Sequence, residues 1–130
     1  MTRQVQVIIK GLDDLTERVV KKITLDVTAN LIETTPVKTG WAKANWVPAI
    51  GVRYRGPSGD LMPVSSAEGT QQSAIANVAL TYKASRGATF VSNGVFYILE
   101  LNSGSSKQAP AGFVQRAIHK AITRDIRGLS

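Results

Sequence analysis

The feature that most constrains this chain is a run of apolar residues spaced four apart, Leu15, Val19, Ile23, Val27 and Leu31, ending at Thr35-Pro36. Each step of four overshoots a helical turn by about 40°, so the run predicts one long helix whose stripe winds round its axis. Val20, Leu25 and Ile32 broaden the stripe. The stop is sharp, because a residue before proline is pushed out of the α region. Opening that helix near Leu12 places Asp13, Asp14 and Glu17 in its first turn, where negative charge complements the helix dipole. So broad an apolar surface reads as a central core helix, or as one partly buried against another subunit. Upstream, Val5, Val7 and Ile9 alternate with polar neighbours, Ile8 is added, and Gly11 follows. That pattern predicts a short strand over 4–9, broken by the glycine.

Beyond Pro36, Thr39-Gly40 marks a turn, and 41–52 carries Trp46, Ile50 and Val52 in a strand-like run. Pro48 inside it argues for an edge position or a bulge. From Arg53 to Thr70 the chain reads as a long loop; in a small domain such a segment is functional or mobile. A second helix is expected over 71–84, with Ile75, Val78, Ala79 and Tyr82 on one side and Leu80 off it. A strand over 88–92 ends in an Asn93-Gly94 turn, and Tyr97 and Leu101 at i, i+4 favour a short helical turn. The last helix, 112–127, has an apolar stripe of Val114, Ala117, Ile118, Ala121, Ile122 and Ile126. The expected fold is α+β: one domain over 1–130, with a small mostly antiparallel sheet packed against a long N-terminal, a middle and a C-terminal amphipathic helix.

The same residues argue against catalysis. There is no cysteine and a single histidine, His119, beside a basic helix face, which leaves no thiolate or paired-histidine metal site. The carboxylates fall at helix starts or on helix faces, without spacing for an acid–base pair. Neither a nucleophile elbow, a P-loop nor a dinucleotide fingerprint occurs. The reading is a protein that is not an enzyme and uses no cofactor or metal. No signal-peptide core and no run of roughly 18 apolar residues is present, so export and membrane spanning are not expected.

What remains is surface. Lys and Arg total 16 against 9 acids, a net charge of +7, which favours polyanions or acidic protein faces. Arg116, Lys120, Arg124 and Arg127 lie within about 80° of arc on the last helix. This row is a solvated face, a dock for an acidic protein, or a track for phosphates. Arg53 and Arg55 open the middle loop. Trp41 and Trp46, five apart, point to opposite faces of a strand; both are core, or one anchors an interface. The stretch from Ser92 to Val114 is dense in turn residues yet holds no reactive group, and reads as a shaped contact segment.

Two pieces of the chain carry a resemblance. Asn93, Tyr97, Leu101, Gly104, Ser106, Gln108, Ala109, Pro110 and Gly112, and upstream Thr35-Pro36-Val37-Lys38-Thr39-Gly40 with Asn45-Trp46, cover about a quarter of the sequence. In that order they resemble the neck, tail-completion or head–tail joining proteins of tailed bacteriophages. Relatives often carry an acidic or amide residue where Lys38 stands. They also often have a glutamate two residues before the loop glycine, where this chain has Asn102 and its Glu100 is displaced. The resemblance implies a structural virion protein of the neck, assembled in the host cytoplasm. It would form a ring, usually of six copies, between the head connector or head-completion layer and the tail terminator or tail tube. Genomic DNA would pass through the lumen without being read in sequence. The interface residues expected on this reading are Trp41, Trp46, Arg53, Arg55, Tyr97, Gln108, Pro110, Arg116, Lys120, Arg124 and Arg127. The alternatives are a tail terminator or head-side connector ring, and then a basic DNA-binding module.

Overall fold

Thr2 starts the first helix: its Oγ1 accepts the Val5 N–H at 3.3 Å, and α1 runs unbroken over Arg3–Thr34. The computed structural model describes residues 2–36, 40–56, 63–95, 97–104 and 111–128. The strand expected over 4–9 is thus a correction. A strand must find partners for its backbone groups, whereas a helix satisfies its own. Val5, Val7, Ile8 and Ile9 are all exposed, so nothing among the described residues rewards their alternation. Gly11 sits inside the helix with open space where a Cβ would go. Starting at Arg3 also takes Asp13, Asp14 and Glu17 out of the first turn, which holds no acid. Glu17 instead accepts the Ala84 N–H at 3.1 Å.

Burial along α1 grows toward its C-terminal end. Leu15 is 41% exposed, Val19 and Ile23 are half-buried, and Leu31 is 1% exposed. The helix stops at Thr35, as the following proline requires. Thr35 Oγ1 donates to Leu31 O and accepts the indole Nε1–H of Trp46 at 2.8 Å. One hydroxyl therefore closes the helix and ties it to the first strand.

Gly40, at φ 82°, opens a single helical turn, α2 (Trp41–Ala44). The left-handed region suits glycine because it has no Cβ. The strand run expected over 41–52 is accordingly shorter: β1 is Trp46–Ile50. It pairs antiparallel with β2 (Thr89–Asn93), Trp46 opposite Asn93 and Ile50 opposite Thr89. Gly51 N donates to Ala88 O at 2.8 Å. By the alternation of antiparallel ladders, Pro48 then occupies a non-hydrogen-bonded pair, where its missing N–H costs nothing. In this two-stranded ribbon both strands are edges, which is the position Pro48 implies.

The loop expected over 53–70 is also corrected at its end. Helix α3 spans Val64–Thr81, opened by the Pro63 carbonyl, which accepts from Ser66 N at 3.0 Å and Ala67 N at 3.1 Å. Ser65, Ser66, Glu68, Gly69 and Thr70 show little apolar pattern, so this first part of α3 carries no stripe to read. Val78 and Tyr82 are buried and Leu80 is exposed, as the periodicity predicts. A 3₁₀ turn at Ala84–Arg86 leads to β2, and α4 (Ile98–Asn102) and α5 (Phe113–Arg127) follow.

The architecture is α+β: a two-stranded antiparallel sheet packed with a long N-terminal, a middle and a C-terminal helix. Val27, Leu31, Trp46, Ala117 and Ala121 form the core, with Ile23, Ile32, Val91, Ile98, Val114 and Ile118 around it. Ala117 and Ala121 let α5 approach α1 closely. The two helices run antiparallel, because contacts descend α1 as they ascend α5: Asn30 to Ala117, Asp26 to Arg124, Lys22 to Asp125. On the sheet's account α3 packs on β1, where Gln71 Nε2 donates to both Lys43 O and Trp46 O at 3.0 Å.

Thr35→Val should lower unfolding free energy by about 1–3 kcal/mol, since it keeps shape but leaves the buried Trp46 Nε1–H without an acceptor. Chemical denaturation followed by tryptophan fluorescence measures the loss, and Thr35→Ser should restore most of it.

Candidate interaction surface

The α5 helix presents two different surfaces. Its buried row is Phe113, Ala117, Ala121 and Asp125, an i, i+4 series that starts apolar and ends in a carboxylate. Sequence reading assigned the acids to helix starts and helix faces; Asp125 belongs to the buried row, its side chain only 2% exposed. The signal lay in that row, where an acid continues the line of alanines. On α1 the facing row is Lys22, Asp26 and Asn30, again four apart.

These rows meet in a four-charge cluster. Lys22 Nζ donates to Asp26 at 3.0 Å and lies 3.6 Å from Asp125, while Arg124 reaches Asp26 at 3.2 Å and Asp125 at 3.7 Å. Neither Asp125 oxygen receives a hydrogen bond. Burial, and then the neighbouring Asp26, hold the Asp125 carboxyl above the usual carboxylate range against the pull of Lys22 and Arg124. The place of Asp125 near the C-terminal end of α5 also disfavours negative charge. For Asp26, burial pushes the carboxyl up, but the hydrogen bond from Lys22, the adjoining Asp125 carboxyl and the charges of Lys22 and Arg124 take it below its ordinary value. Beside the cluster is an open cleft of about 400 Å³, lined by Leu15, Arg18, Val19, Lys22, Asp125 and Gly128.

The expected interface residues therefore separate. Arg124 is exposed, its side chain 55% so, and reaches across to the α1–α5 clamp at Asp26 and Asp125. Arg116 is exposed and donates to Ala111 O at 2.7 Å, while Lys120 and Arg127 are exposed on the same helix. Trp46 is a correction: it is buried in the core with its indole N–H spent on Thr35, so it has no surface to offer a partner. Trp41 is half-buried in α2, Tyr97 is half-buried before α4, and Arg53 and Arg55 are exposed after β1. Gln108 and Pro110 lie outside the described residues. His119 is exposed beside Thr123.

Asn102 has a role the sequence did not disclose. Gly112, at φ 79°, occupies the N-cap of α5 and has no side chain to cap with. Asn102 caps instead: its Oδ1 accepts Val114 N at 2.9 Å, its Nδ2 donates to Gln115 Oε1 at 2.9 Å, and its carbonyl accepts Gly112 N at 2.7 Å. The end of α4 thus serves as a remote N-cap for α5, and sets its angle to the sheet.

The most distinctive surface is on α1. Every residue from Thr2 to Thr16 is exposed, including Val5, Ile8, Ile9, Leu12 and Leu15. At 100° per residue these five apolar side chains fall within about 120° of arc, and Arg3, Lys10, Asp13, Asp14 and Glu17 within about 100° on the other side, where the exposed Val7 also lies. The chain supports the charged side, through Glu17 and the Lys83–Arg86 turn, and leaves the apolar side open. Among the described residues no group of three or more His, Cys, Asp or Glu is placed to hold a metal ion, and no helix is long and apolar enough to cross a membrane. Comparison with family models, with curated proteins and with solved structures finds no match to this chain.

Two outcomes follow for the clamp and the cap. Folded Asp125 holds its proton more tightly than the unfolded chain does, so its contribution to stability falls as pH rises through its folded-state pKa. Asp125→Asn should therefore be more stable than the parent at pH 7, with the gap closing as pH drops toward 3.8, read from thermal melts across that range. Asn102→Ala should cost about 1 kcal/mol of unfolding free energy in urea titrations, and Asn102→Asp clearly less, because it keeps the acceptor for Val114 N.

Proposed function

We propose that this chain is a structural subunit of the phage neck, a ring-forming tail-completion or head–tail joining protein. The observation that carries the reading is the open apolar side of α1, a surface of Val5, Ile8, Ile9, Leu12 and Leu15 that its own fold does not cover. Contiguous apolar surface of this kind marks a protein contact. It agrees with the ordered Thr35–Trp46 and Ser92–Val114 motifs that resemble the neck proteins. On this reading each subunit contributes an α+β body, and its helices and loops meet neighbours and the layers above and below. The proposed partners are further copies, the head connector or head-completion protein, and the tail terminator or tail tube. DNA passes through the lumen, where a net charge of +7 favours a polyanion without reading its sequence.

A purely DNA-binding module fits less well, because one member of the basic row, Arg124, is paired with Asp26 and Asp125. A tail terminator or head-side connector ring remains within the same class.

Mass measurement on purified protein, alone and with tail tubes, tests the reading. A closed ring of about six 14.0 kDa chains is expected, in solution or only on the tail. A monomer that never adds to tails overturns it. DNA affinity falling steeply with salt would move the assignment to the DNA-binding alternative.

A further inference from the structure

The open side of α1 has a regular geometry. Val5, Ile8, Leu12, Leu15 and Val19 are separated by steps of three and four in alternation, the a and d positions of a heptad. The flanking positions, Gln4, Ile9, Gly11 and Thr16, carry no charge; Arg18, beside Val19, is the first that does. Lys10 pairs with Asp14 at 3.3 Å on the opposite side, and Glu17 is engaged by Ala84.

The same strip is already used as a helix-packing face farther along. Asp26 and Asn30 fall in the arc of the open seam, with Lys22 within about 20° and Val27 within about 40° of it, and that half of the strip is covered by α5. The covering helix ends at Arg127, and Gly128 lies beside Leu15 and Val19. One strip of α1 is thus closed by a helix along its second half and left without one along its first. Its spacing calls for another helix in line with α5.

The chemistry of the strip selects the kind of helix. A strongly charged partner gains nothing from a seam and flanks that are uncharged over 4–16. An anionic membrane surface would be met by a polar face rich in Lys and Arg. Here that face has three acids, Asp13, Asp14 and Glu17, against Arg3 and Lys10. Uncharged flanks allow two identical seams to meet without like-charge repulsion.

We infer that residues 5–19 of α1 pair with the same segment of a second copy, seam to seam, through Val5, Ile8, Leu12 and Leu15. The inference rests on the assembly reading above and names a two-fold contact that joins copies in pairs, beside the head-to-tail contact that closes a ring. Each copy then covers the apolar side that the other leaves open, while the charged side stays against its own Lys83–Arg86 turn and solvent.

The absence of cysteine makes a cross-linking test clean. Ile8→Cys and Leu12→Cys, separately and mixed, place thiols on the seam, and Asp14→Cys places one on the charged side; all three positions are exposed, so the body is undisturbed. Under mild oxidation of the full chain, alone and with tail tubes, a seam thiol should give about ten-fold more linked dimer than Asp14→Cys, because a disulfide needs Cα atoms within roughly 7 Å. Equal linking at both sides overturns the inference. So does an assembly that retains its mass while no seam combination links, or a seam thiol that links to a tail protein instead. Those results leave the ring reading standing. Absence of linking together with a monomeric mass under every condition overturns both.

Discussion

The hydroxyl of Thr35 is the point from which most of the body is set. It sits where Pro36 forces the helix to stop, and it both closes α1 on Leu31 O and holds the Trp46 indole. Trp46 is the first residue of β1, so the bond fixes where the sheet begins relative to the helix. With Trp46 placed, its ring joins Val27 and Leu31 on α1 to Ala117 and Ala121 on α5. Side-chain amides then fasten what remains. Gln71 holds α3 to the start of β1, Asn93 Nδ2 donates to Ala42 O at 2.7 Å, Asn30 reaches Ala117 O at 3.2 Å, and Asn102 caps α5. Gln71, Asn93 and Asn30 join elements distant in sequence, and Asn102 joins the consecutive helices α4 and α5. A small domain without disulfides gains fixed geometry in this way, because a buried amide that loses its partner is costly.

How far the sequence disclosed this depends on which physical term settled each element. The C-terminal part of α1 and all of α5 were readable, because packing there follows a helical period and the residues that pack are apolar. The stop at Thr35 was readable from the proline alone. Val5 to Ile9 was not, since alternation and helical spacing coexist in Val5-Gln6-Val7-Ile8-Ile9, and what decides is whether a partner strand exists. The first turns of α3 were missed because Ser65 to Thr70 present no apolar stripe, and only the Pro63 carbonyl announces the helix. The site was less legible still. Trp46 and Arg124 carry the residue types of interfaces, yet Trp46 is taken up by Thr35 and the core, and the exposed Arg124 pairs with Asp26 and Asp125. Those partners lie 11, 98 and one residue away, so no local spacing could reveal them all.

The clamp changes what the positive charge of the chain means. A net +7 invites a reading in which every Lys and Arg awaits a polyanion. Lys22 and Arg124 pair with Asp26 and lie beside Asp125 between α1 and α5, and Lys10 faces Asp14. The charge left to act at a distance is therefore unevenly spread, with Arg53 and Arg55 beyond β1, and Arg116 and Lys120 on the outer side of α5. Distributed in this way, charge supports a diffuse attraction for a polyanion better than a track that grips successive phosphates.

The two halves of α1 explain why an apolar seam can stand ready in a single chain. A helix of about 14 residues is marginal alone in water, because its first turn orders several residues for one hydrogen bond. Here that nucleus is supplied by the half of α1 that α5 and the sheet already hold, and the exposed half only propagates from it. Thr2 caps the far end, and the Lys10–Asp14 pair and Glu17 brace the charged side. The seam is therefore presented as formed helix before any partner arrives. Pairing need not meet the full cost of ordering it, and its spacing rather than its flexibility selects what can bind.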